Sequence, residues 1–334
     1  MRLGTLHLRP GTYALILLSL GISASFPFIE TNPYLIYVGV YALFTVIYAL
    51  SWNLLAFSGQ ASFGHAGFLG IGAYTSALLV IADVPIPLGV LAGGLTSAVV
   101  GVAIGALSLR LTNRVAMGLV TYGFTVVAEA LAIIFTSVTQ GYQGLEVPLF
   151  SHSFTGQYYS ELVIAILTTG VISAILVSPV GLNLAAIRED EQAASVIGIN
   201  VQRHKLFVFV LSAFFAGVAG ASYVHFIGYV NVDIFALNNN LIPIVATLLG
   251  GVNTIPGPIV GALFFSYLTE ATGFLSTQVQ YELIGAILIA VVLVAPIGLV
   301  PSLARVIGRL SAAHRHHRPA IREAPSPLDR SDPS

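Results

Sequence analysis

The sequence predicts an all-α fold: a polytopic membrane helical bundle of about nine or ten membrane segments, one pair of them broken or re-entrant. Three observations predict it. Hydrophobic residues make up 56% of the 334 positions, charged residues only 8%, and the mean hydropathy is +0.91. A soluble domain carries about 25% charge, and no water-bathed core could hide this much apolar surface. Glycine is abundant, at 33 residues, which suits close helix packing in lipid. The basic residues fall only in alternate loops.

Arg2 and Arg9 precede an apolar run, Tyr13–Ile29. The run is long for the core of a cleaved signal and no A-x-A site follows, so it is expected to stay as a first span. A second span is expected over Leu35–Phe57. The polar joint Ser58-Gly59-Gln60 leads to a glycine-rich third segment, Ala61–Ala82, and Pro85–Pro87 marks a turn. In the fourth span, Pro87–Leu109, small residues recur every four positions: Gly89, Gly93, Ser97, Gly101 and Gly105. That spacing lays a small stripe along one face, where a neighbouring backbone can approach. A fifth span, Ala116–Val138, is followed by a polar, aromatic loop, Thr139–Tyr159, and a sixth span, Ser160–Val177.

The longest polar interruption is Ser178–Leu206. The seventh span, Phe207–Ile227, carries another small-residue face (Ala213, Ala216, Gly217, Gly220, Ala221). Residues 228–240 read as a polar loop. Leu241–Thr272 is broken by Gly250–Pro258, whose glycines and prolines cannot sit in a regular helix. A last span covers Leu283–Val300. Residues 1–304 thus form one membrane domain, with 178–206 as a cytoplasmic loop. Residues 305–334 form a basic tail rich in Pro, Ser and Asp, expected to be disordered.

With the N-terminus placed in the cytoplasm and the spans alternating, all 13 Lys and Arg residues fall on the cytoplasmic side. Glu30, Asp83, Glu146, Glu161, Asp233, Glu270 and Glu282 fall at outer loops or helix ends, with no base among them. The positive-inside rule then puts both termini and the charged loop in the cytoplasm. Leu241–Thr272 lies between two outer loops. It must cross twice in short helices or re-enter as a pair of half-helices. A faint echo links Gly59-x2-Ser62-x4-Gly67-x2-Gly70 to Gly251-x2-Thr254-x2-Gly257-x3-Gly261. It fits either an internal repeat or shared composition.

Ala186–Ile197 reads as one short cytoplasmic helix. Ile187, Ala194 and Ile197 share a face beside Ala186 and Ala193, while Arg188, Glu189, Asp190, Gln192 and Ser195 cover the rest. Gly198 suits a left-handed helix end. A helix lying on lipid headgroups would carry Lys and Arg on its polar face. Glu189, Asp190 and Glu191 are acidic, so the expected occupant of this surface is another protein. Within the spans, Glu129 sits near the middle of the fifth, where an ionisable group is costly. It is either a path-lining carboxylate or a buried structural one, with Thr121, Tyr122 and Thr125 on its face. His65 reads first as a satisfied structural histidine, and Asn53 and Gln60 as residues that satisfy nearby backbone or line the path.

Several classes are excluded or lack support. Cysteine is absent, which removes disulfides, thiol chemistry and thiolate metal sites. A P-loop needs G-x4-G-K-[ST], and the one lysine, Lys205, lies in His204-Lys205-Leu206. Any ATP that drives this protein is bound by another chain. No catalytic set or metal spacing appears in the spans, so an enzyme, a metal site or a cofactor in this chain is not expected. His314, His316 and His317 sit among arginines in the tail, where lipid contact or disorder is expected over metal. No nucleic-acid partner is expected.

The stretch AIREDEQAASVIGIN (Ala186–Asn200), with Ala193-Ala194-x3-Gly198, resembles the cytoplasmic "EAA" loop of ABC importer permeases. SWNLLAFSGQASFGHAGFLGIGAY (Ser51–Tyr74), FVLSAFFAGVAGA (Phe209–Ala221) and LLGGVNTIPGPIVGALF (Leu248–Phe264) resemble the branched-chain amino acid permeases of the LivM type. The resemblance spans about Leu35 to Val300. One departure stands out: where that family shows T-G-G-x-x-G-L, Gln140 replaces a glycine within Thr139–Leu145.

The resemblance implies a multi-pass subunit of the cell (inner or plasma) membrane that works by alternating access. Its partners would be a sister permease, two cytoplasmic ATPase subunits holding ATP-Mg, and a periplasmic or extracellular substrate-binding protein. Ile187, Arg188, Glu189, Asp190, Glu191, Ala193, Ala194 and Gly198 would seat in an ATPase groove. Asn53, Gln60, His65, Thr121 and Glu129 would be the translocation-path candidates. Other amino acids, urea or short amides are the alternative solutes. A passive channel is a different class, and no N-P-A repeat is present, only Asn32-Pro33.

Overall fold

The structure, a computed structural model, describes residues 25–28, 30, 32–110, 114–303 and 305. Most of the expected first span and the tail after Arg305 lie outside the described residues. Asn32 accepts from the Tyr34 amide and Pro33 fills the first turn, so the chain enters helix α1 (Pro33–Ala56) close to the expected start. There follow α2 (His65–Ile81), α3 (Ile86–Ser108), α4 (Arg114–Ile134), α5 (Phe154–Val177), α6 (Pro179–Glu189), α7 (Glu191–Val196), α8 (Val201–Ile227), α9 (Leu237–Gly250), α10 (Pro256–Ala271) and α11 (Thr277–Val294). A two-residue antiparallel ladder joins β1 (Leu145–Glu146) to β2 (Tyr229–Val230). Among the described residues, α1, α3, α4 from Ala116, α5 and α8 are long and apolar enough to cross a membrane, while α2 and α9 are shorter apolar helices.

The frame is α8 packed against α1, α2 and α3. The expected stripe on α3 is its buried face, and Leu88, Leu95 and Val99 on the other side are exposed. The stripe is needed because backbones meet there. A Cβ at Gly93 would stand 2.6 Å from the Gly72 carbonyl oxygen, and one at Gly101 2.7 Å from the Ala213 Cβ. Ser97 lies in the same seam and donates to the Phe68 carbonyl at 2.9 Å.

Helices α2 and α8 run the same way: His65 pairs with Ser212 and Ser76 with His225. Ser212 lies eleven residues after Val201 and fifteen before Ile227. At 1.5 Å per residue, α2 therefore starts about 17 Å up a helix about 40 Å long. The third segment is thus a partial helix that begins near mid-height, reached by an irregular stretch, 57–64, folded into the bundle.

Residues 228–240 do not form the expected outer loop. From Asn231 the chain turns inward, and Val232, Ile234 and Phe235 are buried. Phe235 fills the gap left by Gly70 and stacks on Tyr74, with centroids 6.0 Å apart. The apolar side chains outweigh the asparagines that follow, and α9 starts deep in the bundle. The region Leu241–Thr272 resolves into α9, a break at Gly251–Ile255, and α10. Helix α10 returns along α1 until Glu270 accepts from the Tyr34 hydroxyl at 3.0 Å. Both α1–α2 and α9–α10 are joined through a glycine of positive φ, Gly59 at 75° and Gly251 at 127°.

The expected single helix Ala186–Ile197 is two. Asp190 is extended (φ −155°, ψ 113°), ends α6 and caps α7 by accepting from the Gln192 and Ala193 amides at 2.8 and 3.0 Å. A carboxylate at an N-cap competes well with helix continuation. The expected face is lost with it: Ile187 and Ala194 are buried within this chain, whereas Val196 and Ile197 are 87% and 73% exposed. Gly198 has the expected left-handed φ, 88°. Asn200 caps α8, which begins at Val201 rather than Phe207, and Ser153 caps α5, which begins at Phe154 rather than Ser160.

Candidate functional site

The irregular stretch before α2 is held by side chains that replace its missing backbone partners, as non-helical chain inside a membrane bundle requires. Gln60 Nε2 donates to Ser58 Oγ at 2.8 Å and to the Lys205 carbonyl at 3.2 Å. Trp52 Nε1 donates to the Ser62 carbonyl at 2.8 Å. The Phe63 amide donates to Thr121 Oγ1 at 3.1 Å, and that hydroxyl donates to the Gly118 carbonyl at 2.9 Å.

At the top of this stretch two helices begin back to back. Helix α2 runs from His65 towards the β1–β2 end, and α9 runs from Leu237 towards the Asn53 end of α1. Neither N-cap residue, Gly64 or Ala236, supplies a capping side chain. The Ala66 amide of α2 instead donates to Asn240 Oδ1 of α9 at 2.9 Å. Tyr48 donates to the Asn239 carbonyl at 3.0 Å. Ser212 donates to the Ser51 carbonyl at 2.7 Å, so at His65 Nε2, 3.1 Å away, it accepts. The imidazole proton is then on Nε2, and Nδ1 carries a lone pair.

His65, Ser212 and Asn240 are all buried. His65 Nδ1 and Asn240 Nδ2 have no protein partner. Buried polar atoms without partners cost about 1–3 kcal/mol each and are rare in native proteins. Here the acceptor belongs to the first residue of α2 and the donor to the first turn of α9, at the ends where helix dipoles are positive.

The path candidates divide accordingly. Gln60, His65 and Thr121 meet around the start of α2. Asn53 sits at the α9–α10 break, where its Nδ2 donates to the Thr254 carbonyl at 2.8 Å and its Oδ1 accepts from the Asn253 amide at 2.9 Å. Glu129 stands apart, two turns beyond Thr121 on α4 and half-buried. Sequence reasoning passed over Asn240, Ser212 and two outer pairs. Glu161, taken for a helix-end acid, is 1% exposed and accepts from Ser222 Oγ at 2.9 Å. His225 donates from Nδ1 to the Pro148 carbonyl at 2.7 Å and accepts at Nε2 from Ser76 Oγ at 2.8 Å. Their signal was a polar residue inside an apolar helix.

On the charged loop, Glu189, Asp190, Glu191, Ala193 and Gly198 are exposed, together with Val196 and Ile197. Arg188 pairs with its neighbour Glu189 at 3.3 Å. Lys205 on α8 donates to Glu191, which ties α7 to α8. Among the described residues, no group of three His, Asp or Glu is placed to hold a metal ion.

A family model described as the branched-chain amino acid transport system / permease component matches residues 34–292. The chain belongs to that family. It is 26% identical over 316 residues to the high-affinity branched-chain amino acid transport system permease protein LivM of Salmonella typhimurium (strain LT2), covering 84% of this chain and 73% of that protein. It is 28% identical over 286 residues to the corresponding LivH of Escherichia coli (strain K12), covering 78% and 90%. It is also 24% identical to the ribose import permease protein RbsC of Haemophilus influenzae, covering 65% and 68%. No solved structure matches. At Gln140, where the resemblance led to the expectation of glycine, φ is +56°, the left-handed conformation that glycine adopts most freely.

Proposed function

We propose that this permease-family chain is a membrane subunit of an ABC importer that carries branched-chain amino acids into the cytoplasm. The observation that carries the reading is the family match across residues 34–292. The exposed α6–α7 loop supports it, because it offers apolar and acidic side chains on a surface unlike one made for lipid headgroups. ATP-Mg belongs to two partner ATPase subunits, which seat on Glu189–Gly198. Ile187 and Ala194 act from beneath by fixing the loop to the bundle. The similarity to both LivM and LivH supports a sister permease as the second membrane partner, with a substrate-binding protein on the far side.

The charge distribution supports an orientation with both termini and the α6–α7 loop in the cytoplasm. Alternating access would open the bundle around the α2–α9 junction. His65 and Asn240 line the path there, Gln60 and Thr121 hold the stretch that leads to it, and Asn53 braces the α9–α10 break.

The experiment is uptake of labelled leucine by proteoliposomes holding the chain with sister permease, ATPases and binding protein. ATP-dependent uptake is expected. Uptake indifferent to ATP would leave a passive channel. ATP-driven uptake of urea, an amide or a sugar but not leucine would change the solute.

A further inference from the structure

We infer that the α2–α9 junction receives the zwitterionic head group of an α-amino acid, with Asn240 Nδ2 and the two helix N-termini taking the carboxylate and His65 Nδ1 accepting from the ammonium group. The inference rests on the importer reading above and names the chemistry of its central site.

Four features lead to it. Helices α2 and α9 have 17 and 14 residues, long enough to carry real end charges, and they start from one place near mid-height of α8. Neither has a local side-chain cap. Among the buried polar atoms without partners in the described residues are a donor in the first turn of α9, Asn240 Nδ2, and an acceptor on the first residue of α2, His65 Nδ1. The acceptor is fixed by the Ser51–Ser212–His65 relay rather than by choice of tautomer.

An anion alone would use the helix ends and the donor but would face the histidine lone pair. A cation alone would meet the wrong end of both helices. An α-amino acid presents carboxylate and ammonium on one carbon, and so matches donor and acceptor together. Both atoms are closed off from solvent here, so the head group reaches them only when α2 and α9 part. That is the movement alternating access requires.

The test is Asn240→Asp in the complete importer in proteoliposomes, reading leucine moved per ATP hydrolysed. Asp caps a helix as well as Asn does, so the bond from the Ala66 amide survives, and the helix ends favour the new charge. If Asn240 is only a cap, the ratio stays at the wild-type value. If it greets a carboxylate, the ratio falls at least about tenfold, because a like charge has replaced a donor. Asn240→Ser keeps a capping oxygen without the amide donor and should lower the ratio about three- to tenfold; it carries the test if the Asp variant fails to assemble. Wild-type ratios in both variants overturn the inference. A parallel loss of uptake and ATP hydrolysis with the ratio unchanged also overturns it, and makes Asn240 structural. A wild-type complex that carries no amino acid overturns the amino-acid assignment of the importer, and this inference with it.

Discussion

Replacing Asn53 by alanine should open the α9–α10 break without unfolding the bundle. The Asn53 amide makes two bonds there, to the Thr254 carbonyl at 2.8 Å and from the Asn253 amide at 2.9 Å. Asn253 is held in the left-handed region at φ 61°, which for a residue with a Cβ costs about 1 kcal/mol and needs outside support. Removing the amide strands two backbone groups, at about 1–3 kcal/mol each where they stay dry. Some relief comes as the loop relaxes, which leaves about 2–3 kcal/mol against the closed form. Hydrogen exchange at Gly251–Ile255 should then rise about thirty- to a hundred-and-fortyfold, since 1.4 kcal/mol is a factor of ten. Exchange within about threefold of wild type in Asn53→Ala, in protein that purifies intact, would refute the clamp.

Four further outcomes follow from the packing, a cap and a buried hydrogen-bonded histidine. Gly72→Ala should cost at least about 3 kcal/mol in the detergent-solubilised protein's unfolding, because its Cβ would lie 2.1 Å from the Gly217 carbonyl oxygen. Gly123→Ala, with nothing within 4 Å, should be tolerated within about 0.5 kcal/mol. Asp190→Ala removes the α7 cap, about 1 kcal/mol, and should speed proteolysis between α6 and α8 and weaken ATPase coupling, whereas Asp190→Asn should do neither. His225→Leu breaks the bonds to Pro148 and Ser76, and should free residues 145–150 to exchange while leaving the α6–α7 loop as protected as before.

Much of the bundle was legible because lipid-adapted helices announce themselves. The apolar runs that became α1, α3 and α8 were bounded by turn residues, and the four-residue spacing of small side chains on α3 required a tight neighbour. The break at Gly251 was visible for the same local reason. What escaped was partnership across the chain. Asn238-Asn239-Asn240 looked like a loop because polarity along a sequence cannot show that Asn240 caps the Ala66 amide, 174 residues earlier. Glu161 looked exposed because Ser222, which covers one of its oxygens, sits 61 residues away. Asp190 looked like part of a helix because its neighbours have good helix propensity. Its carboxylate, three residues from a small alanine, made a better cap than a continuation.

Lys205 occupies an unusual place in this scheme. Its side chain is tied to Glu191 on the exposed loop, and its carbonyl accepts from Gln60 in the stretch that supports α2. One residue therefore has a handle in the water and a footing in the interior, both at the same end of α8. A displacement of α7 that Lys205 follows must be taken up at Gln60 within one residue's length. It does not have to travel along 27 residues of α8 to reach the base of the junction. The loop and the interior are mechanically adjacent, however far apart they stand in the sequence.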